Sequence, residues 1–95
     1  MLHLESTASF GYWVRRQRMA LDLTQADLAR AVGCATVTIS KIERDERRPS
    51  RQMAELFAEH LAVRAEARTL FLAVALGEKA ATRLAVTDQP RSVED

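Results

Sequence analysis

Four side chains between positions 36 and 41 share one side of a short helix: Thr36, Val37, Ser40 and Lys41. On a helical wheel they fall, together with Arg44, within an arc of about 140°. Ile39 and Ile42 point the opposite way. One face is apolar and suited to anchoring. The other is small, polar or basic, and suited to meeting base edges in a DNA major groove. Lys41 can donate to guanine acceptors. Thr36 can hydrogen-bond a base or pack its methyl group on a thymine methyl, and Val37 can do only the latter. Ser40 is short and adaptable. No residue at the helix start offers an Arg–guanine or Gln–adenine bidentate pair. Direct readout is therefore modest, about 1–3 kcal/mol per good contact.

A second set of residues suits phosphate. Gln25 opens a helix whose free backbone N–H groups and dipole attract an anion. Arg44, Arg47, Arg48 and Arg51 surround the loop that follows residues 36–44 and can clamp a nucleic-acid backbone beside the groove. A charged loop is usually just solvated. The motif immediately upstream of these arginines is what assigns them to phosphate.

The elements that must position these groups read from Gln25–Ile42, QADLARAVGCATVTISKI. Leu28 and Val32 are one helical turn apart and share a face. Ala29 is small where two backbones approach. Gly33 supplies the left-handed turn at least cost. Cys34 covers that turn from inside, and Ile39 and Ile42 resume the apolar spacing on a second helix. Two short helices joined by a tight turn are the result.

The flanking chain predicts three more helices. Ser9 caps a first, Phe10 to Leu21, with Phe10, Val14, Gln17 and Leu21 on one side and Trp13 at the stripe's edge. Asp22 ends it. Thr24 caps the second, Gln25 to Val32, with Asp27 near its positive end. The third runs Thr36 to Arg44. A charged loop, closed by Pro49, leads to Ser50, which caps a fourth, Arg51 to Leu61. Its inner face is Met53, Leu56, Phe57 and Leu61. A fifth spans Ala65 to Leu76 and stops at Gly77. Residues 1–8 read as a flexible arm, 9–77 as the domain, 78–85 as a frayed extension and the stretch from Val86 to Asp95 as a disordered tail.

Composition agrees with an all-α fold. The 95 residues suffice for one domain, 47% of them are apolar and only 5% aromatic. Alanine-rich chains of this kind favour helices, and no alternating strand pattern appears. The net charge is only +1, but it is uneven: residues 1–52 carry nine Lys/Arg against six Asp/Glu, and residues 53–95 carry five against seven. Attraction to a polyanion is therefore local rather than global. The single cysteine forbids an internal disulfide and suits a reducing, cytoplasmic setting. The amino terminus lacks the pattern of a signal peptide, and no apolar run reaches the roughly 20 residues of a membrane span.

These residues together resemble the lambda-repressor-like, Cro/Xre-type helix-turn-helix family. The match runs from Leu23-Thr24-Gln25 through Asp27-Leu28-Ala29, Val32-Gly33 and Thr38-Ile39-Ser40-Lys41-Ile42-Glu43 to Arg48-Pro49-Ser50, and covers about residues 10–76. The resemblance implies a compact five-helix bundle, with the second helix over the DNA backbone and the third in the major groove of double-stranded DNA. It implies that Gln25 touches phosphate and that Thr36, Val37, Ser40 and Lys41 face bases. It also implies a buried Arg18–Glu43 pair linking the first and third helices, against the plainer reading of two solvated charges. Three positions depart from the pattern: Ala35 replaces a Ser/Thr cap, Asp45 stands where glycine is common, and Gln17 interrupts an apolar stripe. The phrases FGYWVRRQRMALDLTQ and ERRPSRQ resemble the amino-terminal modules of large bacterial regulators, in which an ATPase or sensor follows.

Catalysis finds no support. His3 and His60 are isolated, Cys34 reads as a small core residue, and neither a metal-ligand spacing nor a phosphate-loop glycine pattern appears. The expectation is a regulator of transcription at the bacterial nucleoid, with no cofactor or metal. The alternative is a module that binds another protein, because fold does not fix function. Near-neutral charge favours that alternative and the basic 41–51 segment argues against it. A symmetric dimer through the 65–76 helix would set two recognition helices about 34 Å apart. Phe71, Val74 and Leu76 either supply that contact or finish the monomer core.

Overall fold

The computed structural model describes residues 9–78. The arm over residues 1–8 and the extension and tail beyond Glu78 lie outside the described residues. The helices are α1 (Phe10–Ala20), α2 (Gln25–Val32), α3 (Thr36–Glu43), α4 (Arg51–His60) and α5 (Arg68–Ala75). All five lie where the sequence puts them, within a residue at most ends. The exception is the start of the fifth, where Ala65–Ala67 form a separate 3-10 turn. No side chain caps α5, and Ala67 sits at φ −100, ψ −2, which breaks the continuity of the expected helix.

Serine and threonine start three of the helices as their chemistry requires. Ser9, Thr24 and Ser50 each accept a hydrogen bond from the third helical N–H, on Tyr12, Asp27 and Met53. At α2 the Asp27 carboxylate also accepts from the Thr24 backbone N–H, which completes a reciprocal box. Ala35 leaves α3 without a side-chain cap, as its type dictates.

All five helices finish in the same way. A residue of positive φ (Asp22, Gly33, Asp45, Ala62 or Gly77) turns the chain. The next backbone N–H then reaches back to a carbonyl of the last turn: Leu23 to Arg18, Cys34 to Ala29, Glu46 to Lys41, Val63 to Ala58 and Glu78 to Ala73. This closure satisfies carbonyls that the helix itself cannot. Two of the five positions are glycine. The other three bear a side chain in a conformation that disfavours one.

The core gathers Val14, Leu28, Ile39, Ile42, Phe57, Leu61, Phe71 and Val74, all essentially without solvent contact. Phe71 completes an aromatic cluster, its ring 5.6 Å from Phe10 and 5.2 Å from Trp13. Trp13 is therefore a core residue and not an edge of the stripe. Phe71 and Val74, left open between core and dimer contact, belong to the core; Leu76 is half-buried. Gln17 is fully buried, and its amide donates to the Leu61 carbonyl at 2.7 Å. The polar interruption in the apolar stripe thus satisfies the carboxyl end of α4.

One glycine sets the α1–α3 approach. A Cβ on Gly11 would stand 2.4 Å from the Ile42 carbonyl oxygen and 2.5 Å from that of Glu43. Only a residue without a side chain lets α1 lie against the carboxyl end of α3. The Gly11 N–H also donates to the Asp45 carboxylate at 2.9 Å. Asp45 itself has φ 61. It takes the left-handed turn and caps α1 at the same time.

Candidate nucleic-acid interface

α3 stands with its apolar side driven into the protein. Ile39 and Ile42 are 0% exposed, and Thr38 is buried beside them. On the other side Thr36 and Lys41 are exposed, Ser40 is half-buried, and Val37 is 57% exposed. Val37 is thus an exposed apolar group on a firmly anchored helix. The four side chains expected to face bases therefore lie together on one outward ridge.

The ridge is held by a polar junction. Arg18 Nε donates to Glu43 Oε2 at 2.6 Å and its Nη2 to Oε1 at 3.2 Å. Its third nitrogen donates to the Leu23 carbonyl at 2.8 Å. Both side chains are nearly buried, at 11% and 4% exposure, so the pair implied by the resemblance is present. Gln25 adds a third member, its amide donating to Glu43 Oε1 at 3.0 Å. A primary amide carries two N–H groups. One is spent on Glu43, and the half-buried side chain can turn the other to a phosphate at the amino end of α2.

The arginines after α3 divide by partner. Arg44 forks onto Glu46 at 3.0 and 3.1 Å and also donates to the Ser40 hydroxyl. The hydrogen bonds from Arg44 hold the Glu46 carboxyl below its usual range, and the same contact raises Arg44. Arg51 pairs with Glu55 at 3.4 Å. The Arg48 guanidinium lies over Gly77 and donates to the Val74 carbonyl at 3.5 Å. It reaches the carboxyl end of α5 while still lining a cleft with Asp45, Glu46 and Arg47. Arg47 is exposed and close enough to the α2–α3 turn for its charge to pull the Cys34 thiol down. Burial outweighs that pull and raises the thiol, so Cys34 is no activated nucleophile.

Sequence reasoning missed Gly11, Asp45 as a cap and the role of Arg48. A glycine inside a helical pattern was the available signal for Gly11. No local signal announces a contact between residues 34 positions apart.

Among the described residues, no group of three or more His, Cys, Asp and Glu could hold a metal ion. No helix among them is long and apolar enough to cross a membrane.

A five-helix bundle with an anchored third helix and a glycine turn before it defines an all-α helix-turn-helix protein. The pattern of the helix-turn-helix family matches residues 14–67. The chain belongs to that family, in its lambda-repressor-like, Cro/C1-type form, and its domain is of a DNA-binding kind. No curated protein and no solved structure matches the chain.

Proposed function

We propose that this domain binds specific sequences of double-stranded DNA as part of a bacterial transcriptional regulator, in the cytoplasm at the nucleoid. α3 enters the major groove, with Thr36, Val37, Ser40 and Lys41 against base edges. Gln25 and the amino end of α2 meet phosphate on one side of the groove, and Arg47 meets it on the other. Arg44, Arg48 and Arg51 join it only by leaving Glu46, the Val74 carbonyl and Glu55. The observation that carries this reading is the exposure of Val37 and Lys41 over fully buried Ile39 and Ile42.

Few bases fall under one such helix, so two copies on a symmetric site, one helical turn apart, fit the reading best. A dimer through the 65–76 region would use half-buried Leu70, Leu72 and Leu76, since Phe71 and Val74 are taken by the core. Titrating duplex binding against salt tests the proposal. One domain neutralising a few phosphates gives a log–log slope of about −3 to −5. Binding without salt dependence, or none at all, overturns it in favour of a protein partner.

A further inference from the structure

The described residues contain eleven Lys and Arg side chains, and most are occupied within the protein. Arg18, Arg30, Arg44, Arg51 and Arg64 pair with carboxylates. Arg48 and Arg68 donate to backbone carbonyls. Arg16 donates to the Tyr12 hydroxyl at 2.9 Å and lies over its ring. Three exposed cations have neither a hydrogen-bonding nor an ion-pair partner among the described residues: Arg15, Lys41 and Arg47. Lys41 is on the ridge of α3 and Arg47 is in the loop that follows it. Arg15 comes from a different helix.

The position of Arg15 follows from its neighbours on α1. Gly11 touches the Ile42 and Glu43 carbonyls, and Arg18 is bonded to Glu43. Gly11, Arg15 and Arg18 lie within about 60° of one another on the α1 wheel. Arg15 is therefore on the row that meets α3, one turn from each contact, on the side of that row turned away from the core. On α3, Glu43 lies between Ile39, which faces the core, and Ser40 and Arg44, which face out. The α1–α3 seam thus flanks the outward ridge, and Arg15 stands at its rim. Arg16 lies about 130° from the middle of that row, beside Tyr12.

We propose that Arg15 is a DNA phosphate ligand, contributed by α1 to the backbone strand that passes the α1–α3 seam. With no partner among the described residues, Arg15 gives up none of their ion pairs when it takes up phosphate, unlike Arg44 or Arg51. The inference rests on the DNA-binding reading above and extends the interface to a helix outside the helix-turn-helix.

The test is a salt titration of the whole chain on one fluorescent duplex, for wild type, Arg15→Ala, Arg15→Lys and Arg16→Ala. Loss of one phosphate contact lowers the slope by about 0.9 and weakens binding roughly fivefold to tenfold at 0.1 M salt. Arg15→Ala shows that loss, Arg15→Lys restores most of it, and Arg16→Ala keeps the wild-type slope. If wild type binds and Arg15→Ala keeps its slope, or if both alanine variants lose equally, Arg15 is not a ligand and the interface without it stands. If wild type does not bind duplex at all, both proposals fall together.

Discussion

Two of the seams that α1 makes are built from different materials. Its seam with α3 is polar and directional: Gly11 against two carbonyls, Asp45 on the Gly11 N–H, and Arg18 on Glu43 with Gln25 beside it. Its seam with α5 is aromatic: Phe10 and Trp13 around Phe71. Burial of apolar surface is strong but nearly without direction. Hydrogen bonds add little net stability but fix geometry. The aromatic seam therefore holds the molecule together, and the polar seam sets where α3 points.

Breaking the aromatic seam has the largest expected effect. Phe71→Ala empties the centre of the cluster and costs about 3–5 kcal/mol, a fall in Tm of roughly 15–30 °C. A fall of only a few degrees by thermal circular dichroism would show that the cluster does not dominate. Gly11→Ala comes next. Its methyl has no room before the Ile42 and Glu43 carbonyls, so α1 and α3 must part, at about 3 kcal/mol. Unchanged melting would mean that the seam can open without cost.

The two materials separate most sharply in a double variant, Arg18→Met with Glu43→Leu. Replacing a buried ion pair by apolar groups of similar size changes stability by less than about 2 kcal/mol. Gln25 meanwhile loses its anchor, and duplex affinity drops roughly fivefold, about one phosphate contact. A variant that melts early yet binds DNA normally would reverse the assignment of roles. The smallest effect distinguishes two helix ends. Ala62→Gly relieves a left-handed alanine and raises stability by about 0.5–1 kcal/mol. Asp45→Gly gives the same relief but loses the carboxylate on Gly11, so it should stabilise less or not at all. Equal gains in Tm would contradict the capping role of Asp45.

How legible the sequence was follows the same division. Helix positions and caps were readable because Ser9, Thr24, Ser50 and Gly33 act on neighbours a few residues away. The outward ridge of α3 was readable because helical periodicity alone sorts Ile39 and Ile42 from Thr36, Val37 and Lys41. The Arg18–Glu43 pair came from family resemblance, with the wheel in support. What could not be read were contacts across long separations. Gln17 looked like a flaw until the Leu61 carbonyl appeared beside it, 44 positions away. Asp45 looked like a lost glycine until it met Gly11. Arg48 looked like one more loop cation until α5 ended beneath it. Of the arginines around the loop, Arg44 and Arg51 pair with carboxylates two and four positions on, and Arg48 alone takes a partner far along the chain.

The central claim is that α3 presents Thr36, Val37, Ser40 and Lys41 to bases while Ile39 and Ile42 hold it from behind. Nuclear Overhauser contacts in a complex with a duplex selected from a random pool test it most directly. The account predicts contacts from the Val37 and Thr36 methyl groups to major-groove base protons, thymine methyls included, and none from Ile39. Contacts confined to α4 and α5, with the Val37 methyls unperturbed by DNA, would contradict it.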